Sequence, residues 1–465
     1  MEVCPVPQSP PVTAHSLFFA RALLPAGWAG DVRISVTDGR VSQVETGVVR
    51  AAGEADLGVA LPGLSNVHSH AFQRAMAGLT EERGPTAGDD FWSWRALMYR
   101  FLDRGGPDEI EAITALAFAE MLEGGFTRVG EFHYLHNDPD GRSYGDPGEL
   151  AGRIAAAAAG TGIGLTLLPV FYAHAGFGGQ PPAQGQRRFI NDVGGFSRLM
   201  EESRRIAAAL PDAVVGVAPH SLRAVTPEEL AAVVPMAGDG PVHIHAAEQT
   251  KEVQDCLDWS GARPVQWLLD HAGLDRRWCL IHATHLTPDE TKRMAASGAV
   301  AGLCPVTEAN LGDGVFPAVE FLEAGGAFGL GTDSNVLIDA AGELRALEYS
   351  QRLTRRGRAV LADPGASTGG TLYRRALAGG AQATGGTTGI AVGEAADLVA
   401  LETDDLAYAG RRDDALLDSL VFAGPKRAIR TVWRRGRVVV ENGRHVHRAA
   451  IEARYRKALD AVLGG

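Results

Sequence analysis

Eight short apolar runs recur between residues 63 and 335, and most intervals between them read as helical. The runs are GLSNVHSH (63–70), TRVGEFHY (127–134), GLTLLPVFY (164–172) and AVVGVAPHSL (213–222), then PVHIHAAE (241–248), WCLIHATHL (278–286), AVAGLCPVTE (299–308) and AFGLGTDSN (327–335). Runs of this length read as buried strands. Intervals such as 108–125 and the Ala-rich 148–162 carry helix composition, the latter closed by glycine. The alternation predicts an α/β fold, a (β/α)8 TIM-like barrel over residues 61–385. A doubly wound sheet is the alternative, but no GxGxxG turn follows the first run.

The two ends have a different character. DVRISVTDGRVSQVET (31–46) places β-branched residues on either side of Asp38-Gly39, a hairpin signal. Residues 394–402 and 430–446 are also strand-like, the second with turns at Arg435-Gly436 and Asn442-Gly443. These ends predict one small β-sandwich domain, discontinuous in sequence, from 1–60 and 386–465.

A chain of 465 residues with 45% hydrophobic and 22% charged residues has the composition of a folded globular protein. Its net charge of −12 argues against nucleic acid or an anionic membrane surface as the main partner. The four cysteines, Cys4, Cys256, Cys279 and Cys304, show no CxxC spacing and read as reduced thiols, with Cys304 a buried small hydrophobe. No signal peptide or membrane-length apolar run is visible, so a cytoplasmic enzyme is expected.

Polar residues gather at the C-terminal ends of the runs, where such a barrel holds its active site. Alternate side chains of a strand share a face, so His68 and His70 can grip one ion while Ser69 turns outward. His245 and Glu248 in VHIHAAEQ offer a further ligand and a proton-handling carboxylate, whereas His243 lies one layer deeper and reads as core. In LIHATHL the local pattern does not choose between His282 and His285. Asp333 ends the eighth run. Taken singly, each has a bland explanation, as a satisfied core histidine or a turn-forming aspartate. Four such features at four strand ends point together to a metal site.

The order HxH, HxxE, HAxH and GTDS resembles the amidohydrolase superfamily, most closely its aminohydrolase branch that binds one metal. The resemblance spans nearly the whole chain. It implies that His68, His70, His245 and Asp333 hold the ion, that Glu248, His282 and Asp333 are catalytic, and that His282 rather than His285 is the functional member of its pair. No lysine occurs between His70 and Lys251, which removes the modified-lysine bridge of two-metal relatives. The donor set favours Zn2+. In the expected mechanism Asp333 takes a proton from the attacking water, Glu248 protonates the substrate nitrogen, and His282 stabilises the tetrahedral centre.

Around the expected mouth lie Gln73, Arg95 in an aromatic-rich segment (89–101), Tyr134, His220 and Arg223. Two arginines there suit a substrate with carboxylates, which guanidinium groups bind bidentately. The strings GLSNVHSHAFQRAMAGLTE, FWSWRALMYRF, APHSLRAV and HIHAAEQTKEV resemble the formimidoylglutamate deiminase family within that superfamily. That likeness implies hydrolysis of N-formimidoyl-L-glutamate in histidine degradation, with Gln73, Arg95, Tyr134, His220 and Arg223 contacting a small dicarboxylate substrate, and a homodimer. A ring deaminase acting on guanine or an adenosine derivative is the alternative, and a catalytically silent scaffold is a third. The scaffold reading conflicts with a complete ligand pattern. The Gly/Pro/Gln-rich stretch 172–196 is expected to close over substrate; 353–373 carries no chemical signal, and Arg74 has no assigned role.

Overall fold

The structure, a computed structural model, describes residues 14–81, 91–425 and 428–464; Cys4 lies outside them. Eight parallel strand positions form the central barrel: β1 Leu64–Ser69, β2 Phe126–His133, β3 Gly164–Phe171, β4 in two pieces, Val214–Val215 and Ala218–Pro219, β5 Val242–Ala246, β6 Trp278–His282, β7 Val300–Leu303 and β8 Ala327–Leu330. Hydrogen bonding runs in the order β5-β6-β7-β8-β1-β2-β3-β4, and the isolated bridges Val217↔Val242 and Ser221↔His245 join β4 back to β5. All eight apolar runs therefore become strands, and β1 to β3, buried along their whole length, show why they read as continuous apolar segments.

Most runs extend further in sequence than their strands, and for two of them the cause is local. β4 breaks at Gly216, where a Cβ would lie 2.4 Å from the Pro241 carbonyl oxygen, so the close approach of β5 requires glycine. β7 stops at Leu303 because Pro305 opens a helix, Pro305–Leu311.

The ends of the chain build one eight-stranded sheet. Its order is Arg444–His445, Arg437–Glu441, Ile429–Arg434, Leu398–Leu401, Val59–Pro62, His15–Leu24, Gly27–Thr37 and Arg40–Glu45, so Val59–Pro62 joins the N- and C-terminal halves. Phe19, Val32, Ile34, Leu398 and Trp433 fill the core of this sandwich-like unit. The predicted turns are tight and left-handed: φ is +52° and +79° at Asp38-Gly39, +48° and +73° at Arg435-Gly436, and +52° and +71° at Asn442-Gly443. The C-terminal helix Arg448–Leu463 leaves the sheet and packs Ala458 and Val462 on Ala112 and Ile113 of the barrel helix Pro107–Glu123.

The sheet is tied to the floor of the barrel by buried charges. Asp212 meets Arg128 at 3.0 Å and Arg434 at 2.8 Å, while Arg434 also pairs with Asp397. No helix among the described residues is long and apolar enough to cross a membrane.

Candidate active site

The mouth of the barrel is shaped where β1 and β8 meet. His70 N donates to the Asp333 carbonyl at 2.9 Å, and the amides of Thr332 and Asp333 both donate to the His68 carbonyl at 3.0 Å. Asn66 locks the same seam: its Oδ1 accepts from the amides of His68 (3.2 Å) and Thr332 (3.1 Å), and its Nδ2 donates to Thr332 Oγ1 (2.7 Å). Small residues permit this crowding, since a Cβ on Gly331 would fall 2.8 Å from His68 Cβ. Ser69 does face away from the mouth but is fully buried, accepting from Asn335 Nδ2 at 3.1 Å.

Several strand ends carry left-handed backbone at residues other than glycine. Ala247, His282, Ala283, Asp333 and Asn335 have φ between +44° and +66°. Such conformations cost on the order of 1–3 kcal/mol each and persist where surrounding bonds over-determine them. Here they aim His282 and Asp333 into the mouth.

His68, His70, His245 and Asp333 converge: one donor atom from each lies within 4.8 Å of all the others, and all four residues are buried. Asp333 Oδ1 is 3.3 Å from Nε2 of both His68 and His70, and His245 Nε2 is 3.1 Å from His68 Nε2. The opposite ring nitrogens of His70 and His245 lie 3.0 Å from the carbonyls of Phe132 and His220, which accept their Nδ1–H protons. That tautomer leaves Nε2 lone pairs facing one another. Burial lowers the pKa of all three imidazoles, His68 to about 3, so they are neutral donors. Burial would raise Asp333, but the His68 hydrogen bond and the positive charge of His282 hold it well below the usual carboxylate range. Three neutral imidazoles and an ionised carboxylate fit a divalent cation.

Beside this cluster, His282 Nε2 lies 3.8 Å from Glu248 Oε1 and 3.9 Å from Asp333 Oδ2. Burial pushes Glu248 up to about 7 against the opposing pull of His282 and Arg223. For His282 burial acts downward, but Glu248, Glu308 and Asp333 together raise it to about 10. Perturbed pairs of this kind concentrate at functional sites.

One cavity gathers the rest. His70, His245, Glu248, His282 and Asp333 line it together with Gln73, Arg95, Tyr134, His220 and Arg223. Every residue predicted from sequence thus reaches the same cavity except His68, which lies fully buried beneath it. Gln73 Nε2 donates to Tyr134 Oη at 3.0 Å, Arg95 rests over the Tyr99 ring, and Arg223 reaches to 3.7 Å from Glu248. His243 is a core residue, its Nε2 bonded to the Ala383 carbonyl at 2.9 Å. His285 stays outside the cluster. Arg74 pairs with Glu120 at 2.6 Å and donates to the carbonyls of Asn335 and Val336, bracing the loop after β8.

Trp94, Met98 and Tyr99 of the aromatic-rich segment, Tyr172 and Phe189 of the stretch 172–196, and Leu311 also line the cavity; the sequence pointed to the two segments but not to these side chains, and not to Leu311. Tyr172 ends β3 as Tyr134 ends β2, a signal available in the sequence; the others come from helices and loops with no strand register to place them. Of residues 172–196, Tyr172 and Phe189 line this cavity, and the stretch is anchored at several points. His174 pairs with Glu229 at 2.9 Å, Phe177 stacks on Trp259, and buried Arg188 donates to the carbonyls of Leu102, Gly105 and Asn137. Its last residues already belong to the helix Val193–Ala207.

Residues 59–439 match the amidohydrolase family, and residues 15–56 match the N-terminal domain of the formimidoylglutamate deiminase HutF. The chain is 52% identical to a formimidoylglutamate deiminase of Pseudomonas aeruginosa, over 97% of this chain and 99% of that protein. It is 30% identical to an 8-oxoguanine deaminase of the same organism, over 88% of each. Among solved structures, an amidohydrolase from Brucella melitensis superimposes with a TM-score of 0.93 at 54% identity, covering 97% of this chain and all of that one.

Proposed function

The chain belongs to the amidohydrolase family, and we propose that its barrel mouth hydrolyses the amidine carbon–nitrogen bond of N-formimidoyl-L-glutamate. Water adds to the formimidoyl carbon, the terminal nitrogen leaves as ammonia, and N-formyl-L-glutamate remains, as expected of an enzyme of histidine breakdown. The observation that carries this reading is the meeting of a histidine–aspartate cluster and two arginines in one cavity, in a chain so similar to a deiminase of that name.

We assign His68, His70, His245 and Asp333 to a single ion, and the imidazole-rich donor set favours zinc. Such an ion lowers the pKa of a water from 15.7 toward about 7 and so makes hydroxide accessible near neutrality. The protein's own groups do the rest. Asp333 has one oxygen among the histidines and the other toward His282, so the second can take the proton of the attacking water. Glu248, held partly protonated near neutrality, delivers a proton to the departing nitrogen. His282, cationic in its acidic surroundings, faces the developing tetrahedral centre.

The arginines account for the substrate's two carboxylates. Arg223 lies beside Glu248, close to the reacting end, and Arg95 lies among the aromatic rings of the outer cavity. Gln73 and Tyr134 form a bonded pair against the substrate chain, and His220 sits nearer the formimidoyl group, its ring centroid 4.8 Å from that of His245. The test is ammonia release from N-formimidoyl-L-glutamate with formylglutamate identified as the product. Release from guanine, adenosine or 8-oxoguanine, with none from formimidoylglutamate, would overturn the assignment.

A further inference from the structure

His282 has two faces, and the reaction described above uses only one of them. Nε2 looks into the mouth; Nδ1 looks away, toward Glu308 Oε1 at 3.3 Å. Glu308 belongs to the short helix Pro305–Leu311 that follows β7, and it is buried, as His282 is. Its position is held from both ends of the residue. The Glu308 amide donates to the Cys304 carbonyl at 2.9 Å, and the Cys304 amide donates back to Glu308 Oε1 at 2.9 Å. The same carboxylate oxygen therefore receives two N–H groups, one from the start of its own helix and one from the imidazole.

The imidazole needs such a holder. His282 ends β6 with φ of +66° and is followed by Ala283 at +48°, so backbone preference works against this placement. The ring is also free to turn about its own bonds unless something fixes it. A carboxylate only accepts, so the contact puts a proton on Nδ1 and selects the ring orientation that presents Nε2 to Glu248 and Asp333. Cys304 lies close enough for His282, Cys304 and Glu308 to be read as a second metal cluster. Burial pushes the Cys304 thiol far above its usual range, and Glu308 Oε1 is already committed to two donors, so hydrogen bonding accounts for the group.

We infer that Glu308 is a positioning residue for the hydrolysis: through its bond to Nδ1 it sets the ring orientation in which His282 meets the reacting carbon. This rests on the role proposed above for His282, and the test separates the two. Glu308→Ala, Glu308→Gln and Glu308→Asp are made in the wild-type and in the His282→Asn background, with kcat, KM and bound metal measured for each. Glu308→Ala lowers kcat roughly 10- to 100-fold, within the contribution of a positioned acid–base group, with KM and metal content unchanged. Glu308→Gln keeps an acceptor oxygen for both donors and restores most of kcat; Glu308→Asp, with its shorter reach, falls between.

In the His282→Asn background each change at Glu308 alters kcat by less than about two-fold, because a residue acting through His282 has nothing left to act on. Equal losses in both backgrounds, or loss of metal in Glu308→Ala and Glu308→Gln alike, overturn the inference while leaving His282 in place. A His282→Asn enzyme at wild-type rate overturns the role of His282 itself. If Glu308→Ala does not fold, the Glu308→Asp cycle gives the same decision.

Discussion

Glu248 and His282 approach to 3.8 Å, both are buried, and yet the one is held near its protonated form while the other is held cationic. Burial opposes charge on each; the carboxylates of Glu248, Glu308 and Asp333 restore it on His282, whereas Glu252 and Asp333 add to the effect of burial on Glu248. A proton donor at neutral pH is the consequence for Glu248. Glu248→Gln is expected to keep bound metal and lower kcat by about 10²–10⁴-fold, measured by ammonia release alongside metal analysis. With a pKa of about 7, the carboxyl is protonated below that value and ionised above it. Wild-type kcat accordingly falls as pH rises through about 7, and the residual activity of Glu248→Gln lacks that limb. An unchanged limb in the variant assigns it to another group.

At the scale of elements, the seam between β1 and β8 controls the site. Asn66 contributes three hydrogen bonds there, two to the backbone amides of His68 and Thr332 and one to a side chain. Asn66→Ala leaves buried amides unpaired and is expected to lower stability by about 1–3 kcal/mol. It also loosens the ligands, weakening metal binding by roughly ten-fold or more, read from a chelator titration; unchanged metal affinity would separate the seam from the site. Asn66 is silent in sequence, because nothing local says which strand a buried asparagine will face. The period-2 spacing of His68 and His70 and the polar ends of the apolar runs were legible, since both follow from strand geometry alone. Glu308 and Leu311 were not, because the short helix after β7 brings them to the mouth through contacts far apart in the chain; for Tyr99 and Phe189 only the segment was legible, not the side chain. The break of β4 at Gly216 is of the same kind: it answers to the carbonyl of Pro241, the residue just before β5.

For the whole molecule, the barrel and the terminal sheet are coupled through Asp212, shared between Arg128 and Arg434. Burial would raise this carboxyl, but the two guanidinium groups hold it below the usual aspartate range. A depressed folded-state pKa contributes stability above the ordinary aspartate value and loses it as pH falls through the folded one. Asp212→Asn is therefore expected to lower stability by about 1–3 kcal/mol at neutral pH. The gap in Tm between variant and wild type closes as the buffer is taken below pH 4, from about the ordinary aspartate pKa of 3.9 downward. A gap independent of pH would place the effect in packing rather than charge.

The first and last strands of the barrel meet at a seam whose partners, such as Asn66 and Thr332, are 266 residues apart in sequence. During synthesis at about 5–20 residues per second, the paired histidines of β1 wait roughly 13–53 s for the segment that carries Asp333. Under the ligand assignment proposed above, His245 joins them partway through that interval, and the donor set stays incomplete until the eighth strand arrives. Four-point discrimination between cations is thus a property only of the closed barrel, after its first and last strands have met.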